Sequence, residues 1–405
     1  MSGERVPIKT AHKLMQLMME YYMGAKAAES TDRKIAWVTS GAPVELLHAA
    51  NVIPIYPENY GALCGAQKMA VELCEVAESH GFSRDICSYA RTGFGSMLSE
   101  GGPMGGLPKP DFLLCCNNIC GTVTKWYQVL QRYYDVPLLY LDTPFLHGEA
   151  TPETIEYVRA QIVDLIEQIG GIAGSPIEQD GLYQTLQLAA KAIIIWGELL
   201  DLMAHKPAPM NSFDTFIHIA PIVVMRGEQR CIDYYEALTA EMKERVANGV
   251  AAVPGEQFRL GWDNLPVWFR MGALSKRFAQ HKACLAAATY ASAWAQPIDP
   301  DADDMLREMA RSYLTVYINC GLDQRVQTLR RMADKFFLDG VVLHSDRSCK
   351  AYSLGQYELA RTLRDEMDFP VLVLEADMND SRVYADEQIN ARIDAFMEML
   401  AARKT

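Results

Sequence analysis

The chain has no run rich in lysine and arginine, and its 405 residues carry a formal net charge of −13. This charge argues against a nucleic-acid partner but leaves room for a local basic pocket that binds a phosphorylated ligand. The first residues, MSGERVPIKT, lack the apolar core of a signal peptide. The longest apolar stretch, LAAKAIIIWGELLDLMAH, contains Lys191, Glu198 and Asp201 and predicts a buried or amphipathic helix, not a membrane span. We therefore expect a cytoplasmic protein with no membrane and no nucleic-acid partner.

Several common binding motifs are also missing. No GxGxxG follows the first predicted strand, and no GxxxxGKS or GxxxxGKT loop occurs, so the sequence does not support ATP or NAD binding by this chain. None of the eight histidines forms an HxH or HxxxH pair, and no CxxC pair occurs. These absences argue against a histidine metal site and against the paired ligands of structural zinc.

Ten cysteines are present, although a reducing cytoplasm disfavours structural disulfides. Five of them stand singly in apolar or helical contexts, where a free thiol packs as a small hydrophobic group. These five are Cys64, Cys74, Cys231, Cys284 and Cys320.

Short apolar runs alternate with helical patterns in two parts of the chain. KIAWVTS, NVIPIYPEN, PDFLLCCNN and VPLLYLDTP predict strands in the first part, and DGVVLHSD and FPVLVLE predict strands in the last. The sequence thus predicts an α/β protein with two similar open parallel-sheet, Rossmann-like domains joined by a helical segment. The expected boundaries are an N-terminal helical arm over 1–30, α/β domains over 31–150 and 256–405, and a mostly helical segment over 151–255.

A weak internal repeat supports two similar domains. In each, an Asp begins a strand, a Cys follows the end of that strand, and an amphipathic helix leads to a Pro-led strand that ends in an acid. The cysteines are Cys120 and Cys349, and the acids are Asp142 and Glu375.

Three cysteines occupy similar positions in this plan. Cys120 and Cys349 lie beyond the carboxyl ends of strands and near helix starts, and Cys87 also begins a helix. Ligands bind at that edge of a parallel sheet, and helix N-termini stabilise thiolates. If the domains face each other, the three thiols can converge in one cleft on zinc or an iron–sulfur cluster. Three buried thiols without a metal remain the alternative, and Cys115 and Cys116 are a second-choice ligand pair.

Ser40 and Glu58 are the candidate polar residues of the same cleft. Each follows one of the first two predicted strands, so a parallel sheet would direct both towards Cys120. The alternatives are that Ser40 caps a helix and that Glu58 is an acid in a turn.

The motifs YPEN, ELCEVAES, DICSYART, PDFLLCCNNIC and RSCKAYSLGQYE resemble those of the 2-hydroxyacyl-CoA dehydratases, which are related to the ATP-dependent benzoyl-CoA reductases. The resemblance extends over nearly the whole chain and is greatest to the α subunit of the dehydratase heterodimer. It implies a [4Fe-4S] cluster bound by Cys87, Cys120 and Cys349, with one iron that has no cysteine ligand. It also implies that Ser40 and Glu58 line the substrate pocket.

The resemblance implies dehydration of an (R)-2-hydroxyacyl-CoA to a 2-enoyl-CoA through a ketyl radical, with the electron recovered at the end. It further implies a homologous second subunit with its own cluster and an ATP-dependent iron–sulfur activator protein. Flavin accompanies some relatives, but no motif in this sequence supports it. Two alternatives stay open: a subunit of the benzoyl-CoA-reductase type, and a cluster-bearing electron-transfer protein without its own substrate. The sequence does not indicate which acyl group is the substrate.

Overall fold

Apolar runs near the N-terminus form the first parallel sheet. The computed structural model describes residues 5–296 and 298–404. In the first sheet the order is β2-β1-β3-β4, and every neighbouring pair is parallel. The central strands β1 and β3 are buried over their whole length, as in a sheet that is covered on both faces. The strands are β1 (Ile35–Val38), β2 (Ile53–Ile55), β3 (Phe112–Cys116) and β4 (Leu138–Leu141).

The second sheet repeats this arrangement with the order β6-β5-β7-β8. The Asp that begins the third strand has the same contact in both sheets. The backbone N–H of Ile35 donates to Asp111 at 2.8 Å, and that of Arg259 donates to Asp339 at 2.8 Å. The prediction of two similar parallel sheets is therefore confirmed. The strands are β5 (Phe258–Asp263), β6 (Ala283–Ala288), β7 (Gly340–Asp346) and β8 (Val371–Ala376).

In the part of the chain that the structure describes, six α-helices precede or connect the strands of the first sheet. The segment CGAQKMAVELCEVAESHG is divided between two helices, because the first ends at Ala66 and Lys68 after it has a left-handed φ of +61°. The helices are α1 (Ala11–Ala28), α2 (Val44–Ala49), α3 (Pro57–Ala66), α4 (Ala70–Ser79), α5 (Ser88–Ser99) and α6 (Gly121–Tyr134).

Residues 151–255 form helices joined by short connections, as their periodic apolar pattern predicts. None of the described helices has the length and hydropathy that a bilayer span requires. The helices of this segment are α7 (Pro152–Ala173), α8 (Gln179–Asp201), α9 (Ser212–His218), α10 (Ala220–Val224) and α11 (Gln229–Ala247). Those that follow are α12 (Met271–Gln280), α13 (Thr289–Ser292), α14 (Met305–Leu314), α15 (Leu322–Phe336), α16 (Lys350–Ser353), α17 (Gln356–Met367) and α18 (Asp386–Arg403).

The two sheets belong to one tightly joined body. A single cluster of buried apolar side chains extends from β1 through the helical segment to α18. Arg91 of α5 is buried and bonds both Glu78, at 2.7 Å, and Asp380 after β8, at 2.9 Å. Arg382 bonds the same two carboxylates at 2.6 and 2.7 Å. This ion network fixes the first sheet's helices against the second sheet, whereas the domain boundaries proposed from the sequence stay a prediction.

Candidate active site

Three cysteines begin helices at the edge of one cavity. Cys87 directly precedes α5, Cys120 precedes α6 and Cys349 precedes α16. Cys120 and Cys349 follow β3 and β7, which hold the same position in their two sheets. All three are partly buried and line the same cavity. The structure thus brings together the three cysteines that the sequence selected, and we call them the cavity cysteines.

The cavity cysteines interact electrostatically. Burial is the main cause that raises the pKa of each thiol above its ordinary value, and the charge of a neighbouring thiolate raises the pKa of Cys87 and of Cys349 further. Backbone N–H groups in the first turns of the three helices act in the opposite direction and favour the thiolate. A positively charged group between the three sulfur atoms would favour their thiolate forms.

The donor set fits an iron–sulfur cluster. Thiolates are the usual ligands of a [4Fe-4S] cluster, and each binds a different iron, so the ligands surround the cluster from separate directions. The cavity cysteines come from three separate segments around a common space. Within residues 5–296 and 298–404, no three His, Cys, Asp or Glu side chains have the spacing that would hold a single metal ion.

Hydrogen bonds fix the loop of Cys349 to the helix that follows Cys87. The buried carboxylate of Asp346 accepts the backbone N–H groups of Ser348, Cys349 and Met378 at 3.1–3.3 Å. The Ser348 hydroxyl in turn accepts the backbone N–H of Ser88 at 3.1 Å. Sequence analysis missed these positioning residues, although Asp346 stands three residues before Cys349 in HSDRSC and could have been recognised as the acid of a loop turn.

Ser40 and Glu58 form a hydrogen-bonded pair on the cavity wall. Glu58 lies in the first turn of α3, and its carboxylate accepts the Ser40 backbone N–H at 2.6 Å and the Ser40 hydroxyl at 2.9 Å. Burial raises the pKa of Glu58 to about 7, against the lowering effect of both hydrogen bonds. Both side chains line the cavity with the cavity cysteines. The alternative that Ser40 caps a helix is wrong, because Pro43 occupies the residue before α2.

The remaining cysteines lie elsewhere. Cys115 and Cys116 are fully buried within β3 and are not among the residues that line the cavity. Four of the five cysteines predicted to pack as small hydrophobic groups are fully buried, and Cys320 is partly exposed. The second-choice pair thus lies inside the sheet, whereas Cys120 emerges beyond its end.

An ion pair in the cavity wall also escaped sequence analysis. Arg226, which follows α10, bonds Glu45 of α2 at 2.7 Å and the hydroxyl of Tyr313 at 2.6 Å. The Tyr313 hydroxyl completes the triangle by donating to Glu45 at 2.5 Å. The signal available in the sequence was Glu45 itself, an acid within the apolar helix of GAPVELL.

Comparisons with known proteins indicate the family of this chain. The family described as "2-hydroxyglutaryl-CoA dehydratase, D-component" matches residues 39–400. The (R)-2-hydroxyisocaproyl-CoA dehydratase alpha subunit of Clostridioides difficile is 34% identical over 96% of this chain and 95% of its own length. The lactoyl-CoA dehydratase alpha subunit of Anaerotignum propionicum is 30% identical over 95% of this chain and 96% of its own length. A benzoyl-CoA reductase subunit of Thauera aromatica is 25% identical over 93% of this chain and 91% of its own length.

The family match covers most of the chain, and the two dehydratase subunits are similar along nearly their whole length. The resemblance seen in the sequence motifs is therefore confirmed. The chain belongs to the 2-hydroxyglutaryl-CoA dehydratase D-component family, among whose named relatives are alpha subunits of 2-hydroxyacyl-CoA dehydratases.

Proposed function

We propose that this chain is the substrate-binding, α-like subunit of an (R)-2-hydroxyacyl-CoA dehydratase, which converts its substrate to a 2-enoyl-CoA. One observation carries the proposal: cysteines that begin helices in both halves of the molecule line the same cavity as the Ser40–Glu58 pair. The names of the relatives from C. difficile and A. propionicum, both dehydratase alpha subunits, support the reaction class.

In this proposal the cavity cysteines hold a [4Fe-4S] cluster, and one of its irons has no cysteine ligand. When bound, the cluster supplies an electron and a Lewis-acidic iron to the thioester, so that the 2-hydroxyl can leave from a ketyl radical. The chain's own contribution is to present three thiolates at helix starts, where backbone N–H groups favour negative charge. The largely apolar cavity lining keeps bulk water away from the reacting atoms.

Glu58 is the candidate acid of the reaction. With a pKa of about 7, a substantial fraction of its carboxyl groups is protonated near neutral pH. A protonated Glu58 can donate its proton to the departing 2-hydroxyl, which then leaves as water. Ser40 positions the carboxyl by donating two hydrogen bonds to one of its oxygens. The residue that accepts the C3 proton is not assigned.

The proposal includes three partners besides the cluster. They are the acyl-CoA substrate, a homologous second subunit with its own cluster, and an ATP-dependent iron–sulfur activator that delivers the electron. Relatives named as alpha subunits support an assembly with a second kind of subunit. A cytoplasmic location remains part of the proposal.

The similarity to the T. aromatica benzoyl-CoA reductase subunit supports a second candidate function. In that function the chain is a reductase subunit, and the electrons remain in the product. The two candidates share the cavity cysteines but differ in the fate of the electron. An electron-transfer protein without its own substrate would not need the Ser40–Glu58 pair beside the thiols.

The deciding experiment is product analysis with the chain, its second subunit and the activator under anaerobic conditions. A panel of (R)-2-hydroxyacyl-CoA thioesters should yield 2-enoyl-CoA products with no net consumption of reductant. Reductant consumed in proportion to product, with an aromatic acyl-CoA as the preferred substrate, would establish the reductase instead. A cluster spectrum that does not respond to any acyl-CoA would contradict both and favour electron transfer.

A further inference from the structure

The charges in the cavity wall restrict the substrate's acyl group. Among the described residues that line the cavity, the charged side chains are Glu45, Glu58 and Arg226. Arg226 is therefore the one cation of this described lining that could pair with a carboxylate at the end of an acyl chain.

Arg226 is already neutralised. Its Nε donates to Glu45 at 2.7 Å, one terminal nitrogen donates to the Tyr313 hydroxyl at 2.6 Å, and the other donates to the Ile222 carbonyl at 3.3 Å. The guanidinium also lies 5.6 Å from the centre of the Trp294 ring. Arg226 and Glu45 are 6% and 1% exposed, so water does not weaken their pairing. An incoming carboxylate would have to compete with Glu45 for a guanidinium whose charge is already paired.

The rest of the wall is apolar and the space is small. The aliphatic and aromatic side chains around it come from α8, α10, the segment after β6 and the loop after α14: Ile193, Val223, Trp294, Ile298, Val316 and Ile318. The cavity volume is about 170 Å³. A cavity of about 150 Å³ with an apolar lining binds benzene. In the proposed function this space also receives the cluster, so the acyl side chain occupies only part of it, and the nucleotide end of CoA must lie outside it.

We propose that the cavity binds an uncharged, apolar 2-hydroxyacyl side chain and excludes one that ends in a carboxylate. This inference rests on the proposed function. Apolar chains gain from leaving water, whereas a carboxylate loses hydration and finds no free positive partner among the described lining residues. The effective cost of burying one unpaired ion is several kcal/mol, so discrimination of about 100-fold or more is expected.

The test compares two unreactive analogues with the same five-carbon backbone, pentanoyl-CoA and glutaryl-CoA. They differ only in a terminal methyl group or carboxylate, and neither has a 2-hydroxyl that could leave. Calorimetric titration of the anaerobically purified chain, in complex with its second subunit, measures both dissociation constants. We expect pentanoyl-CoA to bind at least about 100-fold more tightly. Equal affinities, or tighter binding of glutaryl-CoA, would overturn the inference.

Two variants test whether the Arg226–Glu45 pair causes the discrimination against a terminal carboxylate. Glu45→Gln keeps the shape of the side chain but leaves Arg226 with an uncompensated charge, so glutaryl-CoA should gain at least about 10-fold relative to pentanoyl-CoA. The double variant Glu45→Gln/Arg226→Met removes both charges and should restore the wild-type preference. An unchanged ratio in Glu45→Gln would show that the acyl chain does not reach this wall. Should neither analogue bind to the wild type, the proposed function itself fails, a result distinct from equal binding of both.

Discussion

Replacing Glu58 by glutamine should make the protein more stable and much less active. The amide has the shape of a protonated carboxyl group, and its oxygen can still accept both hydrogen bonds from Ser40. It cannot donate the proton that we assign to the departing hydroxyl. Turnover should therefore fall by about 10²–10⁴-fold, the usual contribution of a general acid, with the cluster spectrum unchanged.

The gain in stability follows from the pKa of Glu58. Burial raises it from 4.5 to about 7, and each tenfold change in proton affinity corresponds to about 1.4 kcal/mol. Ionised Glu58 therefore costs the folded state about 3 kcal/mol, or about 2 kcal/mol if water in the cavity screens the charge.

The stability effect depends on pH in a defined direction. Because the pKa of Glu58 is higher in the folded state, the folded protein binds this proton more tightly than the unfolded chain does. The corresponding stability is fully present below about pH 4 and is lost as the pH rises through about 7. Glu58→Gln should thus unfold at a higher denaturant concentration than wild type at pH 8, and the difference should shrink towards pH 4.

The assay pairs product formation with denaturant unfolding at equal iron content. Glu198→Gln is the matched control, because Glu198 is exposed on α8 and should change neither turnover nor stability. Activity of Glu58→Gln within a few-fold of wild type would refute the role of the acid. Lower stability at pH 8 would refute the argument that burial raises its pKa.

Three further predictions concern the cluster, the partner and the ion network. Replacing any one of the cavity cysteines by alanine should abolish bound iron and sulfide, whereas Cys116→Ala should retain both; the reverse result for Cys116 would mean that the wrong cysteine of CCNNIC was chosen. The chain alone should show no sustained turnover with a chemical reductant, and many turnovers would contradict the heterodimer. Although burial opposes it, hydrogen bonds from Arg382 and Arg91 hold the pKa of Asp380 at about 2. The lowered pKa stabilises the folded state by about 2 kcal/mol above pH 4, and this stabilisation is lost as the pH falls towards 2. Asp380→Asn should therefore lower the denaturant midpoint of unfolding at pH 7 and weaken the loss of stability between pH 4 and pH 2.

The sequence predicted the place of the cysteines because that place depends on local patterns. The apolar run PDFLLCC forms β3 up to Cys116, and the polar residues after it end the strand before Cys120. Cys349 follows β7 in the same way. Strand ends and helix starts can be recognised within about ten residues of sequence, and the topology of a parallel sheet then places them at one edge.

Contacts between distant segments could not be predicted in this way. Glu45 and Arg226 are separated by 181 positions, and no local pattern pairs an acid in an apolar helix with an arginine so far along the chain. Ser88 and Ser348, which are 260 positions apart, meet only because the two sheets pack together. The role of Glu58 as a site residue remains a prediction. The structure adds the two hydrogen bonds that its carboxylate accepts from Ser40.

The position of the cavity cysteines would couple binding of the proposed cluster to the packing of the two sheets. Cys87 and Cys120 belong to the half of the molecule that carries the first sheet, and Cys349 belongs to the other half. The Ser88–Ser348 hydrogen bond and the Arg91–Asp380 ion pair connect the same two halves beside the cavity. A group that ligates all three thiolates would stabilise the packed arrangement over one in which the halves separate, because binding free energy then becomes folding free energy. The ion network holds the two halves together by itself, so the three thiols can line one cavity before any such group binds.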